Sequence, residues 1–411
     1  MSKPKIRFKG YCNDWERRKL SEVVKEVKRT DETSDAPVMM ITAENGFINQ
    51  SERYSTNNAG QSLKKYILLE KGELAYNHGA SKLRPFGSCF ALISKGKARI
   101  PFVYHCFSSK SENAEFLSLT LNGKPVERQL RRIVSSGARM DGLLNISFEE
   151  YTAIPISLPQ KAEQDRIADY FRSLDCLITL HQRQCENTKK LKKFMLQKMF
   201  PKKNQKNPEI RFAGFTNDWE RRKLGDIANV TKLAGFEFTE HVVYSDEGNI
   251  IALRGLNIKN GQLILDDVKY IDGSNFSKLS RSKLFIDDIM FTYVGTVGEV
   301  AIIKENDRFY LAPNVSRIRV KSDDSPKFIS HYMRTDNFKN KVIFPLIATS
   351  SQPALSMENI RKFTINIPIS REEQDCLAKY FDSLDHLITL HQNKCDELKK
   401  LKKFMLQNMF I

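Results

Sequence analysis

Two stretches of the chain share a hydrophobic pattern that predicts long amphipathic helices. In Gln164–Phe200, apolar or small side chains recur at alternating intervals of four and three residues, without an interrupting glycine or proline. This spacing places one apolar stripe along a helix, as in the seam of a coiled coil. The second stretch, Gln374–Phe410, repeats the first with 26 of 37 positions identical. At a rise of about 1.5 Å per residue, each helix would be roughly 55 Å long.

We expect the two helices to pair with each other, because a long apolar stripe is stable in water only against a partner. The pairing positions are predicted to be Ile167, Phe171, Leu174, Ile178, Leu377, Phe381, Leu384 and Ile388. Further apolar residues, Leu177, Leu180, Leu191 and Phe194 among them, are predicted to widen this stripe. The sequence therefore predicts a helical scaffold that is present in two nearly identical copies.

A shorter segment, which we call the opening motif, is also repeated. Pro4–Leu20 and Pro208–Leu224 both end in NDWERRKL and are identical at 13 of 17 positions. Their offset is 204 residues and that of the helices is 210, so the second copy has a net six additional residues between motif and helix. The chain is thus a tandem duplication. Each motif carries one of the two tryptophans, Trp15 and Trp219, which we interpret as packing anchors rather than ligand contacts.

The middles of the two halves barely resemble each other, yet both consist of short apolar or alternating runs broken by glycine, asparagine and proline. Such runs predict strands and turns. Short helices are expected at Ser111–Leu121 and Ser325–Asn340. The predicted class is α+β, with two tandem, mostly β domains of curved sheet, two long helices and an internal pseudo-twofold duplication. The predicted boundaries are 1–157 for the first domain, 158–201 for the first helix, 202–207 for a linker, 208–368 for the second domain and 369–411 for the second helix.

Charge is the strongest global indication of a partner. The chain has a formal net charge of +17 and a pI near 9.4, which favours a polyanion and most often a nucleic acid. A basic surface that serves only solubility is the alternative. Seven cysteines without a CxxC pair fit reduced thiols in a cytoplasm. No apolar run is long enough for a membrane helix, and the basic start lacks the apolar core of a secretory signal.

Catalytic signatures are missing from the sequence. It contains no GxxxxGK[ST] phosphate loop, no GxGxxG fingerprint and no Asn/Asp-Pro-Pro-aromatic segment. Gly295–Gly298 is a lone GxxG that we interpret as a hairpin turn rather than a nucleotide site, and Glu26–Lys28 matches only half of a nuclease metal motif. We therefore expect a non-catalytic protein without a metal site.

Taken together, the motifs resemble the specificity subunit of type I restriction–modification systems, over essentially the whole chain. The resemblance rests on the doubled NDWERRKL motifs and on the doubled passages from Pro159 and Pro368 through Glu-Gln-Asp to YFxSLDxLITLHQ. It implies two target-recognition domains, each docking in the major groove of double-stranded DNA at one half of a bipartite site. It further implies that the long helices form an antiparallel coiled coil that fixes the spacing. The first half departs from the pattern, since Lys71–Asn77 stands where a Gly-Asp-Ile/Leu turn is common.

The same resemblance implies partners that carry the chemistry. Two modification subunits would bind the repeated helices and methylate adenine with S-adenosylmethionine. Restriction subunits, which translocate DNA with ATP and Mg, would join that complex. None of these cofactors would be bound by the present chain, which is expected to be a cytoplasmic DNA-binding subunit without contact to a membrane.

Contacts to DNA are expected from loops of the two domains, because Arg, Asn and Gln suit base edges whereas Ser, Thr and Lys suit phosphates. The candidates are Tyr76, Asn77, His78, Lys82, Arg84, Ser135, Ser136, Arg139, Arg254, Asn257, Thr292, Tyr293, Thr296, Ser350, Ser351 and Gln352. The lysine-rich runs 189–193 and 399–403 would either graze the DNA backbone or form a solvated helix face. The alternative function is a non-catalytic coiled-coil adaptor that binds RNA or another polyanion.

Overall fold

Contacts divide the protein into two compact units. The computed structural model describes residues 3–44, 46–53, 60–134, 144–202, 205–347 and 353–411. Unit 1 contains Met1–Gln182 together with Asn393–Ile411, and unit 2 contains Arg183–Gln392. Unit 1 is therefore built from two separate segments of the chain, whereas unit 2 is built from one.

The first half of the chain consists mainly of short strands followed by one long helix. Its strands are β1 (Glu16–Lys19), β2 (Val24–Glu26), β3 (Met39–Thr42), β4 (Gly46–Asn49), β5 (Ile67–Glu70), β6 (Leu74–Asn77), β7 (Ser88–Ala91), β8 (Lys97–Ile100), β9 (His105–Ser109) and β10 (Pro155–Leu158). Its helices are α1 (Leu20–Val23), α2 (Ala114–Leu121), α3 (Lys124–Ile133), α4 (Phe148–Thr152) and the long α5 (Lys161–Lys198). Short 3₁₀ turns lie at Gln50–Glu52 and Gly60–Lys65.

The second half also begins with a strand and a short helix and ends with one long helix. Its strands are β11 (Glu220–Lys223), β12 (Ala228–Lys232), β13 (Ile251–Leu253), β14 (Ile258–Lys259), β15 (Gln262–Leu263), β16 (Lys269–Tyr270), β17 (Ile289–Thr292), β18 (Val300–Ile302), β19 (Phe309–Leu311), β20 (Val315–Val320) and β21 (Thr364–Ile367). Its helices are α6 (Leu224–Ile227), α7 (Gly235–His241), α8 (Pro326–Met333), α9 (Asp336–Phe338), α10 (Met357–Arg361) and the long α11 (Arg371–Asn408). Short 3₁₀ turns lie at Gly255–Asn257, Ser280–Ser282 and Phe344–Leu346, and a π-helical turn lies at Lys339–Ile343.

Equivalent sheets form the centre of each unit. Unit 1 has a four-stranded antiparallel sheet in the order β2-β9-β6-β7, and unit 2 has one in the order β12-β20-β17-β18. Smaller sheets flank them, including β16-β13-β19, whose β13 and β19 are parallel. The predicted α+β class with two sheet-rich domains and two long helices is confirmed.

The opening motif closes each domain at the strand that precedes the long helix. Strand β1 pairs antiparallel with β10, and β11 pairs antiparallel with β21. The tryptophan before each strand is buried, with the Trp15 ring 5.9 Å from that of Phe116 and the Trp219 ring 5.6 Å from that of Phe328. The prediction that both tryptophans are packing anchors is confirmed.

A buried ion pair connects each opening motif to the first turn of a long helix. Arg7 donates to both carboxylate oxygens of Glu163 at 2.7 and 2.6 Å. Arg211 does the same to Glu373 at 2.6 and 2.7 Å. Both glutamates are buried, and each lies at a helix N-terminus, where the backbone dipole favours negative charge. These bidentate contacts explain why arginine and glutamate recur in both copies.

The glutamine that follows each glutamate fixes the helix to its domain. The Gln164 side chain accepts from the Asn113 backbone at 3.0 Å and donates to the Pro159 carbonyl at 3.0 Å. Gln374 makes equivalent bonds, accepting from Ser325 and donating to the carbonyl of Pro368. The repeated Glu-Gln-Asp sequence is therefore a structural joint.

The short helices differ from the predicted ones. The first begins at Ala114 rather than Ser111, because the Asn113 side chain caps it by accepting from Phe116 N at 3.0 Å. The second does not run to Asn340 as one helix. It ends at Met333, and a new turn starts at Asp336, where the Thr335 hydroxyl accepts from Phe338 N.

The long helices pair antiparallel within each unit. In unit 1 the Phe171 ring lies 6.0 Å from that of Phe410, and Asp175 contacts Lys402 at 2.5 Å. Residue numbers therefore increase along α5 in the direction in which they decrease along α11. In unit 2, Lys192 of α5 contacts Asp385 of α11. Earlier on α5, the Cys185 thiol lies 3.8 Å from the carbonyl of Ile388. Each unit thus contains the start of one long helix beside the end of the other.

Candidate nucleic-acid interface

Tyr76 at the end of the first central sheet is buried rather than exposed. Its ring stacks on that of Tyr151 with centroids 4.0 Å apart, and its hydroxyl donates to the Phe86 carbonyl at 2.7 Å. Burial raises the pKa of the Tyr76 phenol far above its usual value. In this structure, Tyr76 supports the domain core.

His78 is also buried and holds two distant backbone segments. Its Nδ1 lies 2.8 Å from the carbonyl of Leu144, and its Nε2 lies 2.7 Å from the carbonyl of Val103. The imidazole stacks on that of His105, whose pKa is lowered chiefly by burial. His78 therefore contacts the domain's own backbone.

Three further first-domain candidates, Asn77, Lys82 and Arg84, lie at the end of β6 and in the segment between β6 and β7. Asn77 donates to the Ile41 carbonyl at 3.1 Å, and its side-chain oxygen accepts from Gly79 N. The Arg84 guanidinium donates to the Asn122 carbonyl at 2.7 Å, and burial lowers its pKa. Lys82, in contrast, is exposed.

In the second domain, Arg254 and Asn257 order the loop after β13. The Asn257 amide donates to the carbonyls of Ile264 and Asp267 at 2.9 and 2.7 Å and is fully buried. Arg254 is half-buried and contacts the Asp267 carboxylate at 2.8 Å. Both side chains thus fix the loop conformation.

The GxxG segment lies between β17 and β18, which pair antiparallel, so the hairpin-turn prediction is confirmed. Thr292 is buried and its hydroxyl accepts from Glu299 N at 2.9 Å. Tyr293 is half-buried with the Lys232 ammonium 5.8 Å from its ring centre, and Thr296 is exposed at the turn. This turn presents an aromatic ring and hydroxyls next to a cation.

Six candidates, Ser135, Ser136, Arg139, Ser350, Ser351 and Gln352, lie outside the described residues. Among the described ones, Lys82 and Thr296 are exposed, whereas Asn77, Arg84, Arg254 and Tyr293 are half-buried. The set of DNA contacts stays a prediction.

The predicted pairing residues fall into the cores of both units. Ile167, Phe171, Leu174 and Ile178 join the core of unit 1, which includes Cys395 and Leu398 of α11. Leu377, Phe381 and Leu384 join the core of unit 2, which includes Met199 and Phe200, and Ile388 is half-buried.

One lysine of each lysine-rich run faces the other helix. Lys192 is buried against Asp385, and its pKa is lowered to about 8, chiefly by burial and then by the charge of Arg334, while Asp385 opposes the shift. Burial raises and the two cations lower the pKa of Asp385, with a net decrease. Lys402 contacts Asp175 in the same way. The neighbouring lysines of both runs are exposed.

Four apolar residues that were expected to widen the seam are exposed instead. Leu177, Leu180, Leu191 and Phe194 of α5 have 42 to 49% of their surface exposed, and their repeat equivalents Leu387, Leu390, Leu401 and Phe404 of α11 have 40 to 52%. These positions lie beside the seam, so they widen the apolar stripe without being covered by the other helix. We call the set in unit 1 (177, 180, 401, 404) and the set in unit 2 (191, 194, 387, 390) the apolar helix faces.

Within the ranges that the structure describes, no group of three or more His, Cys, Asp and Glu side chains is placed to hold a metal ion. No helix in those ranges is long and apolar enough to cross a membrane.

Comparison with known proteins finds one matching family model and similar curated proteins. Residues 216–400 match the family model of the type I restriction modification DNA specificity domain. The chain is 25% identical over 280 residues to the type I restriction enzyme MjaVIII specificity subunit of Methanocaldococcus jannaschii, covering 66% of this chain and 64% of the relative. It is 26% identical over 225 residues to the MjaX specificity subunit of the same organism, covering 53% and 50%. The matches thus span between half and two thirds of the relatives' lengths.

A solved structure has the same fold over the full chain. The type I restriction-modification system S subunit from M. genitalium superposes with a TM-score of 0.60 at 14% identity, covering 100% of this chain and 99% of that one. At this identity the likeness concerns the fold.

Proposed function

We propose that this chain, which carries the DNA specificity domain of the type I restriction–modification family, selects the sequence at which a type I complex acts. The observation that carries the proposal is that two nearly identical helical scaffolds hold two domains that differ in sequence. The joints at Glu163 and Glu373 are the same, whereas the loops after β6 and β17 present different side chains. Such a device suits two different half-sites on double-stranded DNA.

The net positive charge and the polar side chains at the ends of the central sheets support DNA as the ligand. The net charge of +17 provides the attraction to phosphates that most DNA-binding proteins use. Base-specific contacts come from polar side chains that reach groove edges. Lys82 in unit 1 and Thr296 in unit 2 follow equivalent strands of the central sheets, β6 and β17, and are the exposed candidates among the described residues. Tyr293, in the same turn as Thr296, is half-buried.

The apolar helix faces support two modification subunits as partners, one on each unit. An exposed apolar patch on a folded protein typically marks an interface. Since the two faces contain the same residue types at repeat-equivalent positions, they suit two copies of one partner. The methylation of adenine with S-adenosylmethionine belongs to those partners in this proposal, as do ATP and Mg to the restriction subunits.

The proposal is tested by methylation with the assembled complex. Co-expressed with its modification subunit, the chain is expected to direct adenine methylation to one bipartite sequence in a plasmid, as mapped by methylome sequencing. The isolated chain should show no methyltransferase or nuclease activity. Methylation at unrelated sites, or a complex that binds RNA but not duplex DNA, would contradict the proposal.

Domain exchange tests the assignment of one half-site to each domain. Replacing residues 25–150 with the corresponding region of another specificity subunit is expected to change one half of the recognised sequence and leave the other half intact, because the opening motif, β10 and both long helices are retained. The matched control exchanges the equivalent region of the second domain and should change only the other half. A change in both halves after a single exchange would refute two independent domains.

A further inference from the structure

We propose that Arg334 is a positioning residue that holds the second domain on its long helix. By doing so, it limits the spacer lengths that the complex accepts between the two half-sites. The inference rests on the proposed function, because spacing has meaning only for a bipartite target. It concerns unit 2, to which all the residues in the contact belong.

The Arg334 side chain links three elements. It follows the last residue of α8, and its Nη1 donates to Asp385 of α11 at 3.1 Å. Its Nη2 donates to the carbonyl of Asn260, in the turn between β14 and β15, at 2.9 Å. Nη1 also lies 3.3 Å from Nδ1 of His331. With only 13% of the side chain exposed, the guanidinium is held in one position, and its two ends contact a hairpin and a helix.

The turn is shaped to receive this guanidinium. Asn260 and Gly261 both have positive φ, 52° and 83°, as the two central residues of a tight hairpin do. A Cβ on Gly261 would lie 2.1 Å from Cζ of Arg334. Only glycine leaves room for the guanidinium against the backbone at this position.

Further contacts bind the same hairpin to the sheet and to α11. Asn260 N donates to the Glu299 carboxylate at 2.7 Å, and Gly261 forms a bridge with Ala301 of β18. The Gln262 amide donates to the Thr389 hydroxyl, one helical turn beyond Asp385, at 2.9 Å. The hairpin therefore rests on the long helix at two successive turns.

The second long helix joins the same contact. Lys192 of α5 contacts the Oδ1 atom of Asp385, while Arg334 contacts Oδ2. One carboxylate thus receives a cation from the domain and a cation from the partner helix. Two charge-assisted bonds orient the half-buried Asp385 carboxylate strongly.

In the described residues of unit 1, the helix contact is present but no cation of the domain contacts Asp175. Lys402 and Asp175 are the repeat equivalents of Lys192 and Asp385, but their side chains are 29 and 54% exposed, against 9 and 23% in unit 2. The position equivalent to Arg334 is Asn122, whose amide binds the backbone of Cys89 within its own domain. The domain cation is therefore a feature of the second copy.

The test measures spacing selectivity of the assembled complex. Methylation rates are compared on DNA with the native spacer and on DNA with spacers one base pair shorter or longer. For Arg334→Ala, the ratio of native to altered rates is expected to fall about tenfold, equivalent to about 1.4 kcal/mol. The preference for the correct bases in each half-site should remain, because the candidate contact loops are untouched.

Gly261→Ala provides a second route to the same result, since its Cβ displaces the guanidinium. Gly214→Ala is the matched control, because Gly214 also has positive φ but open space around its Cα. Arg334→Ala should also accelerate hydrogen exchange of the 260–263 amides in the full chain. Unchanged spacing ratios in both variants would overturn the inference, as would an equal loss of half-site preference. A wild-type complex without bipartite methylation would instead overturn the proposed function.

Discussion

Replacing both Leu177 and Leu180 with glutamate is expected to remove one of two modification subunits from the assembled complex. These leucines belong to the apolar helix face of unit 1 and are 42 and 47% exposed in the chain alone. A carboxylate in an apolar interface loses its hydration without gaining a partner, which costs several kcal/mol. The expected result is a weakening of roughly 100-fold or more at that face.

Native mass spectrometry of the purified complex measures this effect directly. The wild-type chain should carry two modification subunits, and the Leu177/Leu180 variant should carry one. The repeat-equivalent pair, Leu387 and Leu390, should give the same loss, and the fourfold variant should lose both partners.

A matched control separates the face from the helix. Thr179 and Gln182 are exposed on the other side of α5, so glutamate at both positions adds the same charge to the same helix turns. Two bound partners are expected with this control. A complex that keeps two partners after the Leu177/Leu180 change would refute docking on the apolar helix faces.

Replacing Glu373 with alanine is expected to destabilise unit 2 by roughly 3 to 5 kcal/mol, the usual cost of leaving one member of a buried ion pair alone. Glu373 is buried and receives two bonds from Arg211 and one from the Trp219 indole at 3.2 Å. Its loss leaves the Arg211 guanidinium without its anionic partner and the Trp219 indole N–H without its acceptor.

Urea unfolding followed by tryptophan fluorescence can resolve the two units, because each contains one of the two tryptophans. In a Trp15→Phe background the signal comes from Trp219 in unit 2. The Glu373→Ala variant should then unfold at markedly lower urea. Glu373→Gln is expected to lie in between, because its amide oxygen retains one acceptor.

Unit 1 supplies the comparison. Glu163 forms the equivalent pair with Arg7, but the Trp15 indole N–H is buried without a hydrogen-bond partner in the described residues. Glu163→Ala should therefore cost about 1.5 to 3 kcal/mol less than Glu373→Ala, which is the worth of a hydrogen bond to a charged acceptor. Equal losses in both units would show that the indole bond contributes nothing.

The repeated parts of the chain could be predicted because repetition marks what both units need. The helix periodicity persists over many turns, and the observed helices, Lys161–Lys198 and Arg371–Asn408, match the predicted stretches within a few residues. The burial of Trp15 and Trp219 was also predictable, since large aromatic side chains in a duplicated motif fit a common core.

The contacts at Asp385 were not predictable from the sequence. Its partners lie 193 and 51 positions away, and one of them, Arg334, has no counterpart in the first copy. Similarly, strand periodicity shows which residues share a face of a sheet but not which face is covered. For this reason the sequence did not distinguish buried residues such as Tyr76 and Asn257 from exposed ones such as Lys82 and Thr296.

The division of the chain into units has a consequence for its synthesis. Unit 1 needs Asn393–Ile411, whereas unit 2 ends at Gln392. The domain that leaves the ribosome first is therefore completed last, after its neighbour has all of its residues. Until then, the apolar surface around Ile178 of α5 is not covered by Cys395 and Leu398. Incomplete chains therefore expose a hydrophobic surface through which they can aggregate. The order in which the two domains are synthesised is thus opposite to the order in which the two units acquire all of their residues.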